Sequence, residues 1–189
     1  MSLREINVLV ETGKNIMRNF KFLEDLARYK PHAKTLLHIN IGEQKLYVID
    51  VPSQKSEQEY TISTSENEPS YEEGSNGTPM GWFEISEKIG AEAPSGMVFK
   101  GRKATGKCFW EYPKEEQSSD FVTTRILRLN GLEAGVNDNT LSRYVYIHGT
   151  NHENDIGIPK SHGCIRMLNK DVIELFDFTP VKTMLYIER

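Results

Sequence analysis

The fold and the chemistry of this chain both depend on residues 146–167, which read YIHGTNHENDIGIPKSHGCIRM. The stretch continues an apolar, aromatic run that starts near Arg143, and this pattern predicts a strand that ends at His148. Its second half is a polar loop that leads to Cys164. A strand end is a rigid place for an imidazole, and a loop held by a rigid scaffold is a common place for reactive groups. The stretch therefore predicts a functional site.

Three kinds of chemistry fit this site. The first is zinc binding by nitrogen and sulfur donors, which are His148, His152, His162 and Cys164. The second is nucleophilic catalysis by Cys164, with His148 as the base that stabilises a reactive thiolate–imidazolium pair at neutral pH. The third is plain packing, because a lone cysteine is often a small buried hydrophobe and a polar histidine loop is often surface. The residues alone leave all three alternatives open.

The neighbours of Cys164 fit the catalytic alternative. Gly163 lets the backbone bend so that successive N–H groups face one point, where they can hold the oxyanion of an acyl transfer. Arg166 is a fixed cation that is able to bind a substrate carboxylate through two parallel hydrogen bonds. His162 is only two residues from the cysteine, so we expect it to flank the site. Together these groups predict acyl transfer on a peptide.

The rest of the chain predicts a helical arm followed by a mostly β domain. Apolar residues recur at three- and four-residue steps from Ile6 to Ala27, which is typical of an amphipathic helix, and Pro31 ends it. We place the division at this proline, with residues 1–31 as the arm and 32–189 as the domain. A short helix over 172–178, capped by Asn169, precedes the last strand, and the Asn130-Gly131 pair predicts a turn. The predicted strands are 35–41, 45–51, 59–63, 82–85, 121–129, 143–148 and 181–187.

Composition excludes several classes of function. The net charge is -4 and no cluster of lysine or arginine occurs, so nucleic acid is not an expected partner. No stretch approaches the roughly 20 apolar residues of a membrane span, and no secretory leader is visible. The two cysteines are too few for a disulfide framework. The catalytic interpretation requires neither a metal nor a cofactor, and we predict none.

Three separated motifs occur in a fixed order along the chain. They are KLYV at 45–48, TPMGWF at 78–83, and the pair formed by HGT at 148–150 and SHGCIRM at 161–167. Together they closely resemble the signature of the L,D-transpeptidase catalytic domain, the YkuD-type family. The resemblance covers about residues 35 to 187, and it leaves the helical arm outside.

The resemblance implies a β-sandwich or partial barrel with a short helix near the active site. It implies an enzyme that takes a peptidoglycan stem tetrapeptide and attacks the bond between the third residue and the terminal D-alanine. A cysteine acyl-enzyme forms as D-alanine leaves, and an amine of a neighbouring stem then accepts the acyl group, which cross-links the two. Water as the acceptor gives an L,D-carboxypeptidase instead. A non-catalytic, zinc-stabilised module that binds the cell wall is a third alternative.

The resemblance also implies roles for single residues. Cys164 matches the nucleophile, His148 matches the base, and the main-chain carbonyl of Gly149 matches the group that orients the imidazole. The loop that forms the oxyanion hole and shapes the pocket corresponds to Ser161, His162, Gly163 and Arg166. Family members act outside the cytoplasm, so we expect this chain in the periplasm or cell wall, and we expect carbapenems to acylate it.

Overall fold

The computed structural model describes residues 22–189, and its framework is one sheet of ten strands with two short helices. The helices are α1 (Leu23–Tyr29) and α2 (Asn169–Phe178). The strands are β1 (Thr35–Asn40), β2 (Lys45–Asp50), β3 (Lys55–Ser63), β4 (Gly81–Ile89), β5 (Met97–Lys100), β6 (Lys103–Cys108), β7 (Val122–Gly131), β8 (Tyr146–Gly149), β9 (Ile165–Met167) and β10 (Met184–Glu188).

Eight of the strands close into a ring. The sheet order is β4-β10-β1-β2-β3-β9-β8-β7-β5-β6, and a further pairing of β4 with β7 closes it. The hairpin of β5 and β6 lies outside the ring and joins the first residues of β7. Closure leaves the eight ring strands without a free edge, which removes the unpaired backbone groups of an open sheet. The structure therefore confirms the mostly β, barrel-like fold.

One hydrophobic cluster fills the ring. Alternate residues of all eight ring strands contribute to it, as the two-residue period of a strand requires. In β1, for example, Leu37 and Ile39 are fully buried in this cluster. Helix α2 adds Val172, Leu175 and Phe176 to the same cluster. The helix that follows the cysteine loop is therefore fixed to the barrel core.

A second cluster covers the outer face of β1, β2 and β10. Leu26 of α1 is only 2% exposed, and it packs with Leu36, Ile49 and Trp82. Both faces of β1 are thus buried, which explains its almost continuous run of apolar residues. The predicted helix from Ile6 to Ala27 is observed as helix within Leu23–Tyr29, and its residues 6–21 lie outside the described part of the chain.

The structure corrects several element boundaries. The Asn130-Gly131 pair is not a turn, because both residues belong to β7 and pair with β4. A side chain at Gly131 would come within 1.9 Å of the Asn137 backbone oxygen, so the glycine allows a close approach of two chains. Strand β8 starts at Tyr146, because Tyr144 has a positive φ of 58° and turns the chain. Asn169 is the first helical residue of α2, and the cap is Leu168.

Candidate active site

Adjacent parallel strands bring the predicted base and nucleophile to the same face of the sheet. Strand β8 pairs in parallel with β9, and His148 is the register partner of Arg166. Cys164 lies two residues before Arg166, so its side chain leaves the backbone on the same side. The same face carries Tyr146, whose backbone N–H is hydrogen-bonded to the Cys164 thiol. Ile126 and Tyr146 form a small apolar cluster against which Cys164 packs.

The ring of His148 has a fixed orientation and a fixed tautomer. His148 is 2% exposed, and its Nδ1 lies 2.7 Å from the carbonyl oxygen of Gly149. Because a carbonyl oxygen only accepts, Nδ1 must carry the hydrogen and donate it. The lone pair of the neutral ring is therefore on Nε2. Burial lowers the pKa of His148, and this effect outweighs the hydrogen bond to Gly149, which raises it.

Gly149 occupies a space that has no room for a side chain. A Cβ built on it would lie 2.6 Å from Oδ1 of Asn169 and 3.0 Å from the carbonyl oxygen of Thr123. The Asn169 side chain also accepts from the Thr123 hydroxyl and donates to the carbonyl of Thr150. Asn169 thus ties the start of α2 to the end of β8. The glycine after the histidine is needed for this close packing.

The thiol of Cys164 is neutral in its surroundings. Burial raises the pKa of Cys164 to about 11, and the nearby charge of Asp120 raises it further. The Tyr146 N–H and the cations of Arg166 and Arg143 lower it by less. With the imidazole pKa lowered and the thiol pKa raised, the resting pair is thiol and imidazole. These pKa directions favour thiol and imidazole over the thiolate–imidazolium pair expected from the sequence, because neither charge is well solvated here.

Ser161 shapes the loop from within, and this changes the predicted oxyanion hole. Its hydroxyl donates to the carbonyl oxygen of Cys164 at 2.5 Å and accepts from the N–H of Gly163 at 3.2 Å. The N–H of Gly163 is thus already used inside the loop. Gly163 has a φ of +114°, a conformation that residues with a side chain rarely adopt. The bend at the glycine, rather than its N–H, is what the loop requires.

The middle motif supports the nucleophile loop from the other side. Thr78, the first residue of TPMGWF, is buried and donates its hydroxyl to the carbonyl oxygen of Gly163 at 3.1 Å. The same hydroxyl accepts from the N–H of Ser65 at 3.0 Å. Motifs far apart in sequence therefore meet at the loop that carries the cysteine.

Arg166 is occupied by a carboxylate of the chain itself. Its side chain is 3% exposed, and Nη2 forms an ion pair with Asp120. Asp120 also lies 3.5 Å from Nδ1 of His162, whose side chain is 62% exposed. The expectation that Arg166 clamps a substrate carboxylate does not match this placement, because Asp120 already neutralises the guanidinium. His162 flanks the site, as expected from its position.

Asp120 is a site residue that the sequence analysis missed. It contacts the residues two positions before and two positions after Cys164. The available signal was its position directly before the predicted strand 121–129. That strand pairs with β8 in antiparallel register, Ile126 opposite His148, so its start lies beside the end of β8. The position of Asp120 became informative only once the pairing of the two strands was known.

A pocket of about 190 Å³ opens onto the sulfur. Its walls include Cys164 with its neighbours His162 and Gly163, and also Arg143 and Tyr144. The carbonyl oxygen of Tyr144 lies 3.6 Å from Sγ of Cys164. A small substrate group can therefore reach the thiol directly, whereas the imidazole of His148 is buried.

Residues 22–189, the described part of the chain, contain neither a metal-binding cluster nor a membrane-spanning helix. In this part of the chain, no three histidine, cysteine, aspartate or glutamate side chains are grouped in a way that suits a metal ion. His152, one of the possible zinc ligands, lies with Nε2 3.0 Å from the carbonyl oxygen of Ser119. None of the helices described there has the length and apolar character needed to cross a membrane.

Comparison with known proteins agrees with this architecture. Residues 34–187 match the family model YkuD, described as the L,D-transpeptidase catalytic domain. A putative L,D-transpeptidase YkuD of Bacillus subtilis (strain 168) is 53% identical over 51 residues, which cover 26% of this chain and 31% of that protein. A protein of the same name from Bacillus licheniformis is 39% identical over 85 residues, which cover 44% of this chain and 49% of that protein.

Solved structures share the fold at low sequence identity. An L,D-transpeptidase from Mycobacterium smegmatis superposes with a TM-score of 0.53 and 16% identity, over 83% of this chain and 59% of that one. L,D-transpeptidase 3 from Mycobacterium tuberculosis, solved with a faropenem-derived adduct, gives a TM-score of 0.53 and 12% identity, over 82% and 60% of the two chains. The chain spans less than half of the two curated relatives and about three fifths of these two structures.

Proposed function

The chain belongs to the L,D-transpeptidase catalytic domain family, and from that premise we propose that it cross-links peptidoglycan through a cysteine acyl-enzyme. The observation that carries the proposal is that Cys164, directly before β9, leaves the chain on the face of the sheet that carries His148 in the neighbouring β8, where the Gly149 carbonyl holds Nδ1 of the imidazole. This arrangement leaves Nε2 as the proton acceptor. The proposed substrate is a stem tetrapeptide that ends in D-alanine.

The first half of the proposed reaction forms a thioester. Sγ of Cys164 attacks the carbonyl carbon of the third residue while the thiol proton passes to Nε2 of His148. The carbonyl oxygen becomes an oxyanion, and the N–H groups of His162 and Cys164 are its proposed donors, since that of Gly163 is used by Ser161. The intermediate then expels D-alanine, whose amine takes the proton from the imidazolium.

The second half transfers the acyl group. An amine of another stem attacks the thioester and gives its proton to His148, and the sulfur leaves and recovers that proton as a thiol. Because both resting groups are neutral, charge appears only during each attack. Such a step is accelerated by hydrogen-bond donors that stabilise the transition state more than they stabilise the bound substrate.

Two alternatives share the same residues. Water in place of the amine makes the chain an L,D-carboxypeptidase that trims tetrapeptides to tripeptides. A non-catalytic module that binds the cell wall and uses Cys164 as a zinc ligand is the alternative from another class, although the described residues group no three metal-ligating side chains around Cys164. The proposed location is the cell envelope, where peptidoglycan stems are found. Carbapenems are proposed as acylating ligands, and a related structure, an LD transpeptidase solved in complex with imipenem, is consistent with that.

One product analysis separates these alternatives. The protein is incubated with a disaccharide tetrapeptide, alone and with a stem that offers a free amine, and the products are identified by mass spectrometry. Cross-linking predicts free D-alanine and a dimer, whereas trimming predicts tripeptide without dimer. Cys164→Ala must abolish both, and Cys108→Ala serves as the matched thiol control. Equal products from wild type and Cys164→Ala would refute the cysteine mechanism. About one zinc per chelator-free chain, lost in Cys164→Ala, would support the binding module instead.

A further inference from the structure

Arg143 places a positive charge in the pocket beside the nucleophile. Its side chain lines the pocket together with Cys164. The next residue along the chain is Tyr144, whose carbonyl oxygen contacts Sγ of Cys164. The sequence predicted no role for Arg143, which stands at the start of the predicted strand 143–148. The positive φ of Tyr144 ends that strand early and leaves Arg143 at the pocket wall.

In the described part of the chain, the guanidinium of Arg143 has hydrogen bonds but no ion pair. Its Nη1 donates to the carbonyl oxygen of Ser70 at 2.9 Å, and its Nη2 donates to the Gly77 carbonyl oxygen at 3.0 Å and the Ser75 hydroxyl at 3.3 Å. All three acceptors are neutral. Glu73 lines the same pocket and its charge raises the pKa of Arg143, but within residues 22–189 no carboxylate lies within ion-pair distance of this guanidinium.

The two arginines near the sulfur therefore differ. Arg166 is buried and neutralised by Asp120. Arg143 is half-buried, and burial lowers its pKa, which means that its charge is incompletely solvated. An arginine keeps its proton under these conditions, so the charge remains. A partly desolvated cation without a counter-ion gains more from an incoming carboxylate than one that already has a partner.

We infer that Arg143 recognises the free carboxylate of the amino acid that leaves during acyl-enzyme formation. The inference rests on the proposed function, because it needs a peptide carbonyl at Cys164. When that carbonyl is attacked, the departing residue lies next to the sulfur, and the pocket there has room for about one small residue. Three of the five guanidinium N–H groups have partners in the loop, and the remaining two, on Nε and Nη1, lie on different edges of the guanidinium, so either one is able to donate a single charged hydrogen bond to a carboxylate.

The test compares two substrates that differ only at this carboxylate. One is the tetrapeptide with a free C-terminal acid, and the other is the same peptide with a C-terminal carboxamide. The measured quantity is kcat/KM for release of the last residue. For wild type we expect a preference for the acid of about tenfold to a hundredfold, the usual range for a charged hydrogen bond. Arg143→Gln should slow the acid far more than the amide, so that the acid/amide ratio of kcat/KM falls to about one.

Arg143→Lys is the matched variant. It keeps the charge and loses the planar fork, so we expect an intermediate preference for the acid. If Arg143 only braces the loop at Ser70 and Gly77, both substrates will slow equally in Arg143→Gln, and the inference is overturned. Equal rates for acid and amide in wild type overturn it without any variant. Wild type that processes neither peptide refutes the proposed function itself, which is a distinguishable result.

Discussion

At the scale of single residues, the proposed catalysis depends on the resting protonation of Cys164 and His148. Burial raises the pKa of the Cys164 thiol to about 11 and lowers the pKa of the His148 imidazole. Both shifts favour the uncharged form. They therefore favour a resting thiol, which is the form less reactive toward electrophiles and oxidants.

Alkylation of Cys164 should reveal this protonation state. Below the thiol pKa the thiolate fraction rises about tenfold per pH unit, so the rate with iodoacetamide should climb from pH 7 to about pH 10 without a plateau. Mass spectrometry of the peptide that contains Cys164 measures this rate, and Cys108→Ser removes the second thiol. A rate that is already constant at pH 7 would mean that a thiolate–imidazolium pair exists at rest.

The pH dependence of activity should reflect the lowered pKa of His148. His148 must be neutral at Nε2 to accept the thiol proton. Because its pKa is lowered, activity should survive below about pH 6.5, the ordinary midpoint of histidine, and fall only under more acidic conditions. The acid limb of a kcat/KM profile measures this. A midpoint above that value would contradict the proposed base.

Asp120 should stabilise the fold through its ion pair with Arg166, and its negative charge should raise the pKa values of Cys164 and His148. Asp120→Asn leaves the buried guanidinium without a counter-ion, and we expect the folded state to lose about 3 kcal/mol. The charge of Asp120 raises the pKa of both Cys164 and His148, so the variant should shift the alkylation profile of Cys164 to lower pH. Thermal unfolding and alkylation measure the two effects. Glu57→Gln, at an exposed position, is the control.

The sequence predicted the candidate site residues that lie in recognisable motifs. It did not predict those whose importance depends on contacts between distant parts of the chain. His148 and Cys164 are recognisable because thiol and imidazole have specific chemistry and a recurring spacing. Asp120 and Arg143 have no motif, and their relevance depends on which strands pair and where the chain turns. The role of Arg166 was misjudged for the same reason, because its partner is far away in sequence.

At the scale of elements, the parallel pair of β8 and β9 determines the geometry of the site. The strands were predictable where they carry alternating or continuous apolar residues, as β1 and β2 do. Strand β6 was missed because most of its residues are exposed and polar, so hydrophobic periodicity gives no signal. Strand β9 was missed because it has three residues, fewer than a pattern needs.

Gly149→Ala should damage the junction between β8 and α2. The added Cβ would meet the Asn169 side chain at 2.6 Å and the Thr123 backbone at 3.0 Å. Overpacking of this kind costs about 1–3 kcal/mol, and it should also displace the carbonyl that orients His148. Chemical unfolding and kcat measure these effects. Gly42→Ala is the matched control, because its Cβ meets ordinary contacts at 3.4 Å. Equal stability of the two variants would contradict this account.

At the scale of the whole molecule, the closed ring holds the site and α1 holds one outer face of the ring. Leu26→Ala removes a buried side chain from the cluster around Leu36 and Trp82, and it should cost about 2–5 kcal/mol. The site lies on other strands, so kcat of the folded variant should not change. Glu24→Ala, exposed on the same helix, should change stability by less than about 0.5 kcal/mol.

This variant also tests the predicted division of the chain. If residues 1–31 form an arm separate from the domain 32–189, the loss of Leu26 should leave the unfolding temperature of the domain unchanged. The contacts of Leu26 lead us to expect a decrease instead. Motif resemblance predicted a β-sandwich or partial barrel, and the closure of the ring by β4 and β7 was not predicted. Its order of strands, which the sequence pattern does not determine, had to come from the structure.

The central claim is that Cys164 becomes acylated with His148 as its base, and intact-mass measurement tests it most directly. The protein is mixed with the tetrapeptide, quenched in acid within the first turnovers, and digested to locate any adduct. We predict a tripeptide acyl group on Cys164, none on Cys108, and at least a hundredfold slower formation in His148→Asn, a rate loss typical of a removed proton acceptor. Products formed without an adduct, or an adduct that persists in Cys164→Ala, would contradict the claim.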